Sequence, residues 1–225
     1  MLTLITTTDG SHTLRNELLQ ETYHSVHGAI QESAHVFIKH GLHYALDRDQ
    51  PDKLTVLEVG FGTGLNTLLT AMDKATTGVE ICYDTIEAFP VPIEHVRLLN
   101  YPDMLGRDEV GDLFERIHMA SWGDSHLLKS GFTFCKVQTD LCKTQLEKSH
   151  YDIVYFDAFA PAKQPELWTL EVISLVVDAL KPRGIFVTYS AKGQLKRDLV
   201  GLGMRLEVQK GPPGKAEMIR AIKDK

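Results

Sequence analysis

The stretch LTVLEVGFGTGLNTLLTAM, Leu54 to Met72, decides the fold. It begins as an apolar run of strand length, breaks into glycines at Gly60, Gly62 and Gly64, and resumes with apolar residues at helical spacing. A β-rich run that turns through glycines into an amphipathic helix is the opening unit of an α/β sheet. Ligands of such sheets sit beyond the carboxyl ends of the strands, near the point where strand order reverses. Glycine lacks the Cβ that would obstruct a tight turn or a close-lying ligand, and the start of the following helix offers unpaired N–H groups.

After Pro51 the same alternation continues through ICYDTIEAF, PIEHVRLLN, FTFCKVQTD, YDIVYFDAF, ELWTLEVISLVVDAL and GIFVTYS, which predicts a mostly parallel sheet with helices on both faces. MRLEVQKG and AEMIRAIK, joined by the turn GPPGK, predict an antiparallel pair at its C-terminal edge. Ahead of Pro51 lie a hairpin signal at Asp9-Gly10 and the segment ESAHVFIKHGLHYALD, in which Ala34, Phe37, Ile38, Leu42 and Ala45 recur at helical spacing. Neither repeats nor a Gly/Ser/Pro linker divide the chain, so residues 1–225 are expected to form one domain. Residues 1–50 would be its hairpin and helical cap, and residues 51–225 its core.

Composition narrows the class. No apolar window approaches the roughly 18 to 20 residues of a membrane span, and MLTLITTTDGSH lacks the basic flank and apolar centre of a secretory signal. A cytoplasmic protein without a membrane partner is the expectation. Cys82, Cys135 and Cys142 are odd in number and form no CxxC pair, so they are expected to be buried thiols rather than disulfides or zinc ligands. His24-x-x-His27 and His40-x-x-His43 have no carboxylate or cysteine pattern to complete a metal set, and no metal is expected. The net charge of -6 hides an asymmetry, because residues 181–225 carry eleven Lys and Arg against four Asp and Glu. Lys192, Lys196 and Arg197 in that basic tail are candidate contacts for a polyanion, although composition alone favours solvated surface charge.

The glycine spacing discriminates among nucleotide ligands. A dinucleotide fold uses G-x-G-x-x-G, but the position for that third glycine is Leu65, and the pattern here is the G-x-G-x-G of methyl-donor enzymes. Glu87, 23 residues beyond Gly64 at the end of the second core strand, stands where an acidic residue accepts from both hydroxyls of an adenosine ribose. Asp140 ends the third strand, placed either to accept from an adenine amino group or to cap a helix. Asp157 ends the fourth, an apolar strand beside which a carboxylate is costly unless it has partners or a task.

FDAFAPAKQPELWT, EVGFGTGLN, YHSVHGAIQESAHVFI and KGPPGKAEM together resemble the methyltransferase of the bacterial MnmC family, over roughly residues 14 to 222. The resemblance implies a Rossmann-like, class I S-adenosylmethionine-dependent methyltransferase that completes 5-methylaminomethyl-2-thiouridine at the tRNA wobble position. It assigns Gly60, Phe61, Gly62, Gly64, Leu65 and Asn66 to the cofactor loop, Glu87 to the ribose, Asp140 to the adenine side and Asp157 to the reaction centre. It also makes the segment Tyr23 to Phe37 a wall over the cofactor, with Tyr23 and Glu32 in contact; relatives usually have two acidic residues where this chain has Glu32-Ser33. Pro212 and Pro213 are inserted in the turn before the last strand. Many members carry a fused FAD-dependent oxidase; none is expected here, so separate enzymes would make the precursor.

Within that reading the partner is a tRNA anticodon loop, and Phe159 and Trp168, beside Asp157, are either core aromatics or stacking surfaces for a flipped-out uridine. The nucleophile is an aminomethyl group, reactive only when neutral, and Asp157 is the candidate for holding and deprotonating it. A small-molecule amine methyltransferase, a polyamine synthase-like aminopropyltransferase and a non-catalytic adenosine-binding module remain as alternatives. The aminopropyltransferases usually carry an acidic residue within the glycine loop, which GFGTG lacks.

Overall fold

Strand β4, Lys53–Val59, is buried along all but its first residue, as expected for a parallel strand covered on both faces. The computed structural model describes residues 1–106 and 108–224. Three strands precede β4: β1 (Leu2–Thr6), β2 (His12–Asn16) and β3 (Glu21–Thr22). After it come β5 (Glu80–Glu87), β6 (Ser125–Lys129), β7 (Phe132–Gln138), β8 (Tyr151–Phe156), β9 (Leu180–Thr188), β10 (Met204–Lys210) and β11 (Glu217–Lys223). The main sheet runs β10-β11-β9-β8-β4-β5-β7-β6. Its five central strands are parallel, β10 and β11 close one edge antiparallel, and β6 closes the other. The chain builds outward from β4 through β5 to β7, then crosses back to lay β8 on the other side of β4. Strand order therefore reverses between β4 and β8.

The two faces of β4 enter two cores, with Leu54 and Val56 on one side and Leu57 and Val59 on the other. The first core takes the helix Leu65–Met72, the helix Asp108–Met119 and the helical run 29–49. The run 29–49 is wound more widely over Ala34–His43, and Gln50, in the left-handed region, ends it before Pro51. Phe37, Ile38, Leu42 and Ala45 are buried beneath it, as their spacing predicts. The second core takes the helices Leu170–Ala179 and Gly193–Gly201. The helix Asp108–Met119 and strand β6 are additions to the elements expected from sequence.

The hairpin signal at Asp9-Gly10 becomes the β1–β2 turn, closed by the Thr6–His12 pair. The Asp9 carboxylate accepts from Thr7 Oγ1 at 2.7 Å, from the Ser11 amide at 3.0 Å and from the Gln31 amide at 3.1 Å. One side chain thus ties the small sheet to the first turn of the helical run, where a carboxylate meets free amides. The cysteines depart from expectation: Cys142 is exposed, and Cys82 and Cys135 are half-buried on neighbouring strands. No helix among the described residues is long and apolar enough to cross a membrane.

At the end of β4 the Gly60 amide donates to the Ile86 carbonyl at 2.9 Å, and the Asp157 amide donates to the Val59 carbonyl at 2.9 Å. Gly60 has φ +92°, and a Cβ there would lie 2.7 Å from the carbonyl oxygen of Asp157. Its smallness serves the approach of two backbones. Gly60→Ala should cost about 1–3 kcal/mol of stability through that clash and the left-handed φ, read by denaturant unfolding; a wild-type midpoint with an unchanged slope would contradict the close approach.

Candidate functional site

A cavity of about 730 Å³ opens at the carboxyl ends of β4, β5 and β8, roofed by β2, β3 and the loop after them. Its floor is the loop 60–64, which leads into the helix Leu65–Met72. Gly62, at φ +50°, faces the ring of Tyr23, and a Cβ there would come within 3.0 Å of it. The Gly62 amide donates to Oε2 of Glu87 at 3.0 Å, while Oε1 accepts from the Phe89 amide at 2.8 Å. Each oxygen of this carboxylate thus keeps capacity for another donor, because a carboxylate offers about four acceptor sites. Burial pushes the Glu87 carboxyl upward, and the two amides pull it back.

Asp157 follows β8 and is half-buried on the cavity wall. Its Oδ2 accepts from Nδ2 of Asn66 at 2.8 Å, a side chain carried on the first turn of the helix Leu65–Met72. Burial raises the Asp157 carboxyl to about 7; the nearby Glu32 charge adds to the rise, while Asn66 and Lys215 oppose it. Glu32 is buried, with Oε1 2.6 Å from Nζ of Lys215 and Oε2 accepting from the Ser25 amide at 2.6 Å. Lys215, from the turn between β10 and β11, also lies 3.7 Å from the centre of the Tyr189 ring. The phenol of Tyr189 donates to the Ala158 carbonyl at 2.8 Å. The N-terminal cap and the C-terminal turn are therefore joined over the cavity by one ion pair.

The predicted residues Tyr23, Glu32, Gly60, Phe61, Gly62, Leu65, Asn66, Glu87, Asp140, Asp157 and Phe159 all line this cavity. Gly64 stands just behind it as the left-handed residue that starts the helix. The ring of Phe61 points away into the core, 5.2 Å from His118 and 6.1 Å from Phe134. Asp140 accepts from the Cys142 amide at 3.0 Å, capping a short turn, and that bond with Lys143 beside it lowers its carboxyl. Phe159 meets Tyr23 edge to face at 4.9 Å.

One expectation needs correction. Trp168 is outside the cavity wall: it is 8% exposed, packs on Phe156 at 4.9 Å, and donates from Nε1 to the Phe159 carbonyl at 2.8 Å. Its apolar bulk belongs to the second core, so it fixes the Phe159 loop instead of offering a stacking face. Lys192, Lys196 and Arg197 also lie off the cavity, on and just before the helix Gly193–Gly201; Lys196 pairs with Glu217 at 2.6 Å, and Arg197 donates to Gln194 at 2.8 Å. The cations that do line the cavity are Arg15, Lys163 and Lys215, and beside them Phe89 is 79% exposed. Arg15 and Phe89 escaped the sequence reading because neither falls in a motif; Lys163 lay unread within FDAFAPAKQPELWT, and Lys215 sat in KGPPGKAEM without a partner to mark it.

The arrangement fits S-adenosylmethionine. The cavity is within the span of small-molecule sites, roughly 300–1,000 Å³, the glycine loop admits close approach, and the Glu87 carboxylate lines the cavity with acceptor capacity to spare. The fold is the Rossmann-like one of class I S-adenosylmethionine-dependent methyltransferases, and the cavity lies at the strand reversal where such sheets bind their ligands. Residues 117–224 match a family described as S-adenosyl-L-methionine-dependent methyltransferase.

Among curated proteins the chain is similar to the tRNA 5-methylaminomethyl-2-thiouridine biosynthesis bifunctional protein MnmC of Pseudomonas fluorescens, 26% identical over 92% of this chain. The corresponding protein of Aeromonas salmonicida is 27% identical over 88% of it. The chain spans 32% of the length of each. Among solved structures it superposes on MNMC2 from Aquifex aeolicus with a TM-score of 0.80 at 26% identity, covering 100% of this chain and 70% of that one. A spermidine synthase in complex with a transition-state analogue shares the fold, with a TM-score of 0.56 at 17% identity over 95% of this chain and 70% of that one.

The raised carboxyls have a consequence for stability. Asp157 at about 7 and Glu58 at about 8 both stand above their unfolded values near 3.9 and 4.3. The folded state holds these protons longer, so their contribution is complete below pH about 4 and is lost as pH rises through 7 to 8. Buried His24, lowered to about 4, acts in the opposite sense but only below its unfolded value near 6.5. The ligand-free protein should therefore lose melting temperature between pH 6.5 and 8, and Asp157→Asn should flatten that slope. A melting temperature that rises across the window in the unaltered protein would contradict the buried-carboxyl assignment.

Proposed function

We propose that this chain transfers a methyl group from S-adenosylmethionine to the aminomethyl nitrogen of a wobble uridine in tRNA, giving 5-methylaminomethyl-2-thiouridine. The observation that carries the reading is the convergence of the glycine loop, Glu87 and Asp157 on one cavity at the β4/β8 reversal. The similarity to MnmC proteins of two organisms supports the choice of substrate. In this reading residues 1–50 serve as the cap over residues 51–225. Gly60, Gly62 and Asn66 receive the donor's methionine end, Glu87 its ribose and Asp140 its adenine side.

Bound there, S-adenosylmethionine supplies a methyl group already activated by its positive sulfur. The chain's own task is to present a neutral amine. An alkylammonium must lose a proton before its lone pair can attack, and a carboxylate raised to about 7 is a far better acceptor than an ordinary one near 3.9. Asp157 holds the ammonium through its charge, accepts its proton and passes it to solvent, and the carboxylate so restored stabilises the positive nitrogen that forms during transfer. Asn66 fixes the carboxylate's orientation, and Lys215 opposes its rise. Tyr23 and Phe159 wall the cavity against water, and exposed Phe89 at its mouth offers a face on which a splayed base stacks. Arg15 and Lys163 are the phosphate contacts nearest the cavity, and the helix Gly193–Gly201, with Lys192 and Arg197, extends the basic surface along the same edge of the sheet.

Nucleoside mass spectrometry tests the assignment. Transfer RNA carrying 5-aminomethyl-2-thiouridine should gain one methyl group on incubation with the protein and S-adenosylmethionine. Asp157→Asn should slow the gain by about 100-fold or more while leaving donor affinity nearly unchanged. A protein that binds the donor but leaves this nucleoside unmethylated would overturn the substrate, and an Asp157→Asn variant at full rate would remove Asp157 from the chemistry.

A further inference from the structure

Behind the glycine loop stands a histidine to which the mechanism above gives no part. His118, half-buried near the end of the helix Asp108–Met119, brings its Nε2 to 3.1 Å from the carbonyl oxygen of Thr63, the residue between Gly62 and Gly64. A carbonyl only accepts, so this nitrogen carries the ring's proton and donates. The same nitrogen would lie 2.7 Å from a Cβ on Gly64, so the ring is seated against the loop backbone itself. Phe61, at 5.2 Å, and Phe114, at 4.6 Å, pack against the ring. Loss of hydration and the Lys136 charge push the imidazole down to about 3, so it is neutral at pH 7.

The histidine is itself anchored. Lys136, buried on β7, donates from Nζ to the carbonyls of Ile117 at 3.2 Å and His118 at 2.5 Å, at the end of the helix where the last carbonyls lack helical partners. The Thr63 side chain has a second holder, since the buried Tyr101 donates its phenol to Thr63 Oγ1 at 3.2 Å. Within the loop the Gly64 amide donates to the Phe61 carbonyl at 2.8 Å. The peptide between Thr63 and Gly64 is thus held at both ends, its C=O by His118 and its N–H by Phe61.

We propose that His118 is a positioning residue for the methyl donor: its Nε2–H holds the Thr63–Gly64 peptide from behind and keeps the glycine loop in the shape that receives S-adenosylmethionine. Glycines at positions 60, 62 and 64 give this backbone unusual conformational freedom, and a loop that the ligand had to order would subtract that cost from its affinity. On the cavity side the Gly62 amide is bonded to Glu87, a carboxylate that the ribose also engages. His118 lies off the cavity wall, so its hold on the loop is one for which the ligand does not compete. The inference rests on the loop as the seat of the donor and on nothing about the methyl acceptor.

Calorimetric titration with S-adenosylmethionine, without tRNA, tests it. His118→Phe keeps an aromatic ring beside Phe61 and Phe114 but removes the N–H, and should weaken donor binding by about tenfold or more, the effect of leaving a buried carbonyl without its donor. His118→Gln, whose amide N–H reaches the same carbonyl, should restore most of the affinity. Nitrogen-15 NMR of the unaltered protein should show the neutral Nε2–H tautomer at pH 7. Wild-type affinity in His118→Phe, at a temperature where it is folded, overturns the proposal, as does a ring protonated at Nδ1. A His118→Gln variant as weak as His118→Phe would assign the effect to packing and overturn it as well. An unaltered protein that fails to bind the donor would bring down the donor-site reading together with this one, so the two failures are distinguishable.

Discussion

The end of β4 is held from both sides: Val59 accepts the amide of Asp157, and Gly60 donates to the carbonyl of Ile86. These two bonds bring the ends of β5 and β8 to either side of the glycine loop, and the site follows from them. Beyond them β4 has no further ladder partners, so its chain must turn, and it turns through residues that tolerate left-handed conformations. The cavity is the gap left where the strand order reverses, as in other open α/β sheets. Glu87 and Asp157 both reach the cavity because Glu87 ends β5 and Asp157 directly follows β8, the two strands paired to β4.

The chemistry depends on how the charges are buried. A surface carboxylate would be almost fully ionised at neutral pH but a poor proton acceptor. Burial raises the Asp157 carboxyl, the neighbouring Glu32 charge raises it further, and the Asn66 amide and Lys215 limit how far it rises. The Glu32–Lys215 pair is formed by residues 183 positions apart, one in the cap and one in the last turn of the sheet. The termini of the chain therefore set the electrostatics of a site whose ligand loop lies between them.

Much of this architecture is legible in the sequence. The run Leu54–Met72 specifies strand, turn and helix through period and glycine alone, and the alternating runs after it give the parallel core. Strand β6 escapes because SHLLK is short and lies at an edge, where little burial constrains its pattern. The helix Asp108–Met119 does leave a signal, since Val110, Phe114 and Ile117 recur at helical spacing and are buried. At the site, residues in strand-end motifs are readable because topology fixes their location. Trp168 and Lys196 are not, because whether an aromatic faces a core or a cavity, or a lysine has a carboxylate beside it, depends on contacts far along the chain. Glu58 carries a readable mark, a carboxyl group in the buried part of a mostly apolar strand.

The central claim is that the β4/β8 reversal holds the methyl donor with its reactive end toward Asp157. A crystal structure with S-adenosylhomocysteine tests it most directly. Density is expected in the cavity, with both ribose hydroxyls on Glu87 and the sulfur facing Asp157 and Asn66. Ligand density elsewhere, or a ribose that makes no contact with Glu87, would contradict it.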